Sequence, residues 1–418
     1  MKKRRVVITG LGAVTPIGNT ANEFWNALLE GRNGVELITK FDTSNFDTKF
    51  AAEVKNFDPL LYIDRKAVRR IDPFAQFALA AAEQAILDSQ INFEKTNLER
   101  FGVVFGSGIG GIKTLTDQHF VYFSDRDPHK ISPFFVTMMI PDIAAGQISI
   151  RFGLKGPNYA TTSACATSSH SIADAFMLIE RGSADLMLCG GSEAPVAEMA
   201  VGGFNAMRAL STWNERYKEA SRPFDKDRSG FVIGEGAGTL LLEDMEHALS
   251  RGANIYAEIV GIGLTADAHH ITAPEPSGNG AVRAMREAVR ESALHLTDID
   301  YINAHGTSTP YNDVTETKAI KTVFGDHAYN LVVSSVKSMT GHLLGAAGSI
   351  EAIATVLSVK NDIIPPTINL DEADPECDLN YSAKIPTKKV VRAAISNTFG
   401  FGGHNASLLF KKFSEQRD

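Results

Sequence analysis

The chain has 418 residues, 44% of them hydrophobic and 22% charged, a composition that allows a large core and either two or three domains or one duplicated unit. A formal net charge of −8 speaks against a nucleic-acid partner, which needs a broad basic surface. The three cysteines, Cys165, Cys189 and Cys377, lack the spacing of a zinc site or a disulfide framework, so a reduced, cytoplasmic setting is expected.

The opening M-K-K-R-R-V-V-I-T-G starts like a signal peptide, but its apolar run stops at Gly10, too early for a signal h-region. The most apolar later stretch, 134–150, is broken by Pro141 and Asp142, and membrane insertion is not expected. Arg5 to Thr9 reads as a short β-branched strand, with Gly10, Gly12, Pro16 and Gly18 forming a loop after it. A helix follows over 23–29, closed by Gly31, and a long one over 67–89 with a single apolar face. A strand over 101–105 opens into G-S-G-I-G-G at 106–111. An extended piece at 158–162 precedes a helix over 172–180, and a buried strand over 186–189 ends in G-G-S-E. A strand pair spans 231–243. After Arg251 the pattern begins again: strands at 257–261, 301–304, 331–336, 393–396 and 406–410 alternate with helices at 281–292, 315–324 and 350–359. Such alternation implies mainly parallel sheets covered by helices, with ligands beyond the strand C-termini. A boundary near residue 250 gives two halves, 1–250 and 251–418.

The first half is centred on Cys165, in G-P-N-Y-A-T-T-S-A-C-A-T-S-S-H-S at 156–171. A cysteine at a strand-to-helix turn sits where free backbone N–H groups and the helix dipole favour a thiolate. A lone cysteine is more often a small core residue. Two histidines and a lysine in Gly/Thr-rich loops of the second half change that balance: His305 in N-A-H-G-T-S-T-P, and His342 five residues beyond Lys337 in K-S-M-T-G-H-L-L-G-A-A-G.

These segments resemble the β-ketoacyl-acyl carrier protein synthases, the condensing enzymes of fatty acid synthesis, and within them the type II elongating group. The likeness runs through V-V-I-T-G-L-G-A-V-T-P-I-G-N at 6–19, I-S-P-F-F at 131–135, A-T-T-S-A-C-A-T at 160–167, S-R-P-F-D-K-D-R-S-G-F-V-I-G-E-G-A-G at 221–238, the two histidine loops, and N-T-F-G-F-G-G-H-N at 397–405. The ordered set is specific where one motif would not be. The resemblance implies an α/β, thiolase-like fold, a duplicated five-layer α/β/α/β/α arrangement that is usually a homodimer, with the nucleophilic Cys in 1–250 and the catalytic His and Lys in 251–418.

Carried over, the family's chemistry is a decarboxylative Claisen condensation that lengthens an acyl chain by two carbons and releases CO₂. Cys165 would hold the acyl group as a thioester. His305 and His342 would hydrogen-bond the malonyl thioester carbonyl, and Lys337 would order the charge around His342 with Glu351. The N–H groups of Cys165 and Phe401 would bind the oxyanion. Thr307 and Thr309 would contact pantetheine, Phe401 would be a gate freed by Gly400, Gly402 and Gly403, and Ile109 and Phe204 would line the acyl channel. His404 stands beside that gate where Thr is common. No cofactor is required and no metal is assigned, although Asn303, Glu351, Ser396 and Asn397 resemble positions that hold a structural monovalent cation. The implied partner is acyl carrier protein, an acidic protein. It would meet a local basic patch at Lys66, Arg69 and Arg70, on helix faces within D-R-K-A-V-R-R at 64–70, extended by Arg126, Lys130 and Arg208.

Other readings stand beside this one. G-S-G-I-G-G satisfies the dinucleotide fingerprint, with Asp125 about twenty residues on, but 112–117 reads as too short for the helix that motif needs. A non-catalytic chain-length factor would lack the nucleophile, and a thiolase would place a second cysteine in the site.

Overall fold

The computed structural model describes residues 3–415. Ten strands form its central sheet: β1 (Val6–Val14), β2 (Phe101–Gly106), β3 (Asn158–Tyr159), β4 (Leu186–Glu193), β5 (Gly236–Asp244), β6 (Ala257–Ala266), β7 (Ile299–Asn303), β8 (Val332–Ser334), β9 (Ala393–Gly400) and β10 (His404–Lys411). The spatial order is β3-β2-β4-β5-β1-β6-β10-β9-β7-β8. Read outward from the middle, β1-β5-β4-β2-β3 and β6-β10-β9-β7-β8 are the same path walked twice, which is the signature of an internal duplication. Within the sheet, the two strand sets meet where Val6 to Ile8 pair antiparallel with Ile259 to Ala257.

The sheet is mixed rather than mainly parallel. In each half the outer pairings, β2 with β3 and β4, and β7 with β8 and β9, are parallel. The pairings of β4 with β5, β5 with β1, β9 with β10 and β10 with β6 are antiparallel. The short 401–403 link returns β9 directly into β10, and a tight link of that kind can only make an antiparallel pair.

Helices α1 (Pro73–Ser89), α2 (Thr167–Glu180), α3 (Asn279–Ser292), α4 (Pro310–Phe324) and α5 (Ala347–Asn361) complete the layers. Helix α1 covers the outer face of β1, β5 and β4, and α3 covers that of β6 and β10 with α4 beside it. Between the two strand sets lie α2 and α5, each touching strands of both. Helix α5 is buried at every position from Ala347 to Val359, as a helix covered on both sides must be. Among the described residues no helix is long and apolar enough to cross a membrane.

Two local expectations change. Gly10 and Gly12 lie inside β1, not in a loop after it: a Cβ on Gly12 would sit 1.9 Å from the Ala81 carbonyl oxygen of α1. The second half repeats the device, where a Cβ on Gly263 would sit 1.8 Å from the Ala284 oxygen of α3. The helix expected over 67–89 is two helices. Asp72 accepts the Phe74 N–H at 3.2 Å and Pro73 starts α1, a normal start because proline has no N–H to lose there. Arg65–Val68 is a separate short helix capped by Asp64. Lys66 therefore lies in that turn while Arg69 and Arg70 fall beyond its end.

Candidate active site

Cys165 sits in a tight turn, Ala164–Ala166, that runs straight into the N-terminus of α2. Ala164 has φ +49 and its counterpart in the second half, Leu344, has φ +48. The same strained elbow thus precedes both central helices, and Gly345 occupies the place that Cys165 holds in the first. A non-glycine residue in this region costs energy and persists where its surroundings hold it.

A cavity of about 510 Å³ opens over Cys165. His305, His342, Phe401, Thr307 and Thr309 line it, all expected at the site. Ile109, Phe204 and, at the mouth, Arg208 also reach it. Gly402 does not line it; its φ is +83, and its N–H binds the Ile271 carbonyl at 2.8 Å, tethering the Phe401 loop to the segment after β6. Thr307 and Thr309 hydroxyls hydrogen-bond each other at 2.8 Å.

Burial pushes the Cys165 thiol up to about 11, although the Phe401 N–H and the charge of Lys337 pull the other way. Desolvation thus opposes the thiolate that the helix terminus favours. Gly400 closes on the turn: a Cβ there would lie 3.1 Å from the Cys165 nitrogen. The amides of Cys165 and Phe401 thus flank the sulfur.

Both histidines are held neutral, well below their ordinary range, by burial and by the charge of Lys337. His342 Nδ1 accepts the Leu344 N–H at 3.3 Å, and its Nε2 is buried with no partner. Lys337 Nζ reaches Nδ1 of His305 at 3.4 Å and forms an ion pair with Glu351, both side chains 2% exposed. The lysine contacts His305 directly and touches His342 only through its field. With both Nδ1 atoms acting as acceptors, each ring carries its proton on Nε2. The rings meet edge to face with centroids 5.3 Å apart. Burial pushes the Glu351 carboxyl up to about 7 against the pull of Lys337.

Residues not singled out from sequence complete the site. Phe231 lies 5.4 Å from both Phe204 and His342, edge to face with each, so the acyl wall and the second imidazole share one aromatic row. Leu344 packs with Cys165, Ile109 and Phe204. Arg228 donates to the Thr309 and Pro310 carbonyls at 3.0 and 2.8 Å, shaping the threonine loop. The signal for Arg228 lay in the charged S-R-P-F-D-K-D-R-S-G run; Phe231 and Leu344 had none beyond their motifs.

Asn303 Oδ1, Glu351 Oε2 and Ser396 Oγ are buried oxygens without partners. They are neighbours, since Ser396 pairs with Asn303 across β9 and β7, and Asn303 Nδ2 donates to the Glu351 carbonyl at 2.9 Å. Three orphaned oxygens fit a monovalent cation. The Asn397 side chain is turned away, its oxygen accepting from Ser407 at 2.7 Å, because successive strand residues face opposite sides. Among the described residues no group of three or more His, Cys, Asp or Glu could hold a metal.

Lys66, Arg69, Arg70 and Lys130 are exposed and lie off the cavity wall. Arg70 stacks on Phe134 at 4.6 Å, and Lys130 pairs with Asp125 at 2.8 Å. The segment is tied toward the site because Asp72 accepts the Thr114 hydroxyl at 2.6 Å, near the start of the helix Ile112–Asp125. That helix is longer than expected, so length does not exclude a dinucleotide. The loop before it does: the Gly108 and Ile109 amides are taken by the Glu193 carboxylate at 2.9 and 3.1 Å, where a pyrophosphate would need them.

A duplicated five-layer α/β architecture with a cysteine elbow and two neutral histidines defines a thiolase-like condensing enzyme. The family model for the beta-ketoacyl synthase N-terminal domain matches residues 3–248, and that for the C-terminal domain matches 256–371. The chain belongs to the β-ketoacyl synthase family. It is 53% identical over 99% of its length, and 99% of the relative's, to "3-oxoacyl-[acyl-carrier-protein] synthase 2" of Synechocystis sp.. It is 52% identical, with the same coverage, to the protein of that name from Staphylococcus aureus. A beta-ketoacyl synthase from Burkholderia phymatum superposes with a TM-score of 0.92 at 37% identity, covering 98% of this chain and 100% of that one. A ketosynthase solved in complex with its type II polyketide acyl-carrier protein gives 0.92 at 33% identity, covering 99% and 100%. The chain is thus a condensing enzyme of the acyltransferase class, acting in fatty acid synthesis.

Proposed function

We propose that Cys165, His305 and His342 carry the condensation, with Lys337 setting the charge of the histidine pair. The observation behind this reading is that two imidazole Nε2–H donors and one thiol face a single cavity. Cys165 Sγ attacks the acyl thioester of acyl carrier protein; the thiol proton ends on the departing pantetheine sulfur and the acyl group stays on Cys165. The malonyl thioester carbonyl then accepts from both Nε2–H groups. As CO₂ leaves, its bonding electrons move into an enolate whose oxygen these donors stabilise, and they cost no reorganisation because they are already fixed. The carbanion attacks the acyl carbonyl, the Cys165 and Phe401 amides hold that oxyanion, and the sulfur departs and takes up one proton from solvent.

Thr307 and Thr309 suit pantetheine, Phe401 a gate, and Ile109 and Phe204 the acyl wall. For the partner, Lys66, Arg69, Arg70, Lys130 and Arg208 offer exposed basic groups of the kind an acidic carrier protein needs, with Arg208 on the cavity lining. A homodimer is supported by the open sheet edge at β3 and by exposed apolar side chains on the helices leading to it, Phe120 at 74%, Val136 at 59% and Ile150 at 77%, a patch that a monomer rarely leaves in water. Three free cysteines suit the cytoplasm. A monovalent cation held by Asn303, Glu351 and Ser396 would balance the buried carboxylate beside Lys337. The test is mass spectrometry after incubation with acyl-acyl carrier protein: the acyl mass should map to the peptide carrying Cys165, and an acyl group on any other peptide refutes the assignment.

A further inference from the structure

Among the buried acids that the mechanism does not use, Glu193 bonds to both halves of the site. Glu193 ends β4 with no exposure to solvent. Its Oε1 accepts the Ser107 hydroxyl at 2.6 Å and the Ile109 N–H at 3.1 Å. Its Oε2 accepts the Gly108 and Gly345 N–H groups, each at 2.9 Å. All four are uncharged donors that favour the carboxylate form, against burial, which pushes the group up.

These donors come from opposite halves of the molecule. Ser107, Gly108 and Ile109 belong to the loop after β2, whose Ile109 lines the acyl side of the cavity. Gly345 belongs to the elbow before α5, next to Leu344, whose own N–H holds His342 Nδ1. The loops touch here: a Cβ on Gly345 would lie 2.3 Å from the Gly108 nitrogen and 2.6 Å from Glu193 Oε2. The carboxylate is the anion that the Gly-rich loop binds, supplied by the protein itself.

We propose that Glu193 is a positioning residue that locks the acyl wall at Ile109 and the turn carrying His342 into one unit, so that chain-length selection and malonyl decarboxylation share a single support. The inference rests on the assignment of Ile109 and His342 above. The two oxygens divide the work: Oε1 serves Ser107 and Ile109 alone, whereas Oε2 bridges to the His342 turn.

The experiment measures two quantities in the full-length enzyme: the ratio of kcat/KM for a long-chain over a medium-chain acyl-acyl carrier protein, and CO₂ release from malonyl-acyl carrier protein. Glu193→Gln turns an NH₂ group against N–H or O–H donors. It should move the chain-length ratio about tenfold and lower CO₂ release about 100-fold. Ser107→Ala removes a donor to Oε1 and, within the same loop, the acceptor of the Gly110 N–H, and leaves the Oε2 bonds in place; it should move the ratio and leave CO₂ release at the wild-type rate. A merely structural role would scale every rate by the folded fraction and leave the chain-length ratio fixed, so an unchanged ratio in Ser107→Ala overturns the inference even if Glu193→Gln does not fold. A wild-type enzyme that neither loads acyl chains nor releases CO₂ would instead refute the functional assignment.

Discussion

His342 Nδ1 accepts the Leu344 backbone N–H at 3.3 Å, and this one bond fixes which nitrogen of the ring can serve the substrate. A neutral imidazole that accepts on Nδ1 must donate from Nε2, and that nitrogen is buried without a protein partner. His342→Ala removes the donor aimed at the enolate oxygen. The expected loss in CO₂ release from malonyl-acyl carrier protein is about 10²–10³-fold, with acylation of Cys165 retained. Equal loss of both half-reactions, measured separately, would contradict the assignment.

Burial pushes the Cys165 thiol up to about 11, which predicts a protonated thiol at neutral pH. Alkylation by iodoacetamide should accelerate about tenfold per pH unit from pH 7 to 10, since only the thiolate reacts. A rate that levels off near pH 7 would show that the helix terminus and the Phe401 amide outweigh desolvation after all.

The meeting of Cys165, His305 and His342 at one cavity was legible because each lies in a Gly/Ser/Thr-rich loop after a strand, where small neighbours leave a side chain approachable. The duplication was legible only as a repeated strand–helix rhythm; its proof, the identical strand path, depends on pairing across more than a hundred residues. Glu193 was visible as the end of G-G-S-E, yet its four donors come from 107–109 and 345, and no spacing rule joins those segments. Gly10 and Gly12 misled because glycine marks a loop far more often than a strand pressed by a helix. Asp72-Pro73, by contrast, was a readable start for α1 that the continuous apolar face concealed.

Lys337 and Glu351 form a buried ion pair, and removing one partner strands the other. Lys337→Met should cost about 3–5 kcal/mol in urea denaturation. Adding Glu351→Gln should recover most of that while leaving CO₂ release impaired, because the charge beside His305 is still gone. Failure of the second substitution to restore stability would mean the pair is not the source of the loss.

His170 hydrogen-bonds Ser163 Oγ through Nδ1 at 2.5 Å and lies edge to face with His404 at 6.3 Å. Burial holds its ring down to about 4, from 6.5 in an unfolded chain. Below pH 6.5 the unfolded chain binds a proton that the folded one refuses. The contribution to stability is therefore full above pH 6.5 and is lost as pH falls toward 4, by up to about 3 kcal/mol. Urea midpoints for wild type should fall across that window, and His170→Asn should flatten the fall. Parallel curves for the two proteins would remove His170 as the cause.

In the proposed mechanism one sulfur carries the acyl chain while two neutral imidazoles, acting without it, support loss of CO₂. The most direct measurement compares CO₂ release from malonyl-acyl carrier protein by Cys165→Ala and by His342→Ala. Cys165→Ala should still release CO₂ although it cannot be acylated, and His342→Ala should release it about 10²–10³-fold more slowly. Release abolished by Cys165→Ala and preserved by His342→Ala would contradict that mechanism.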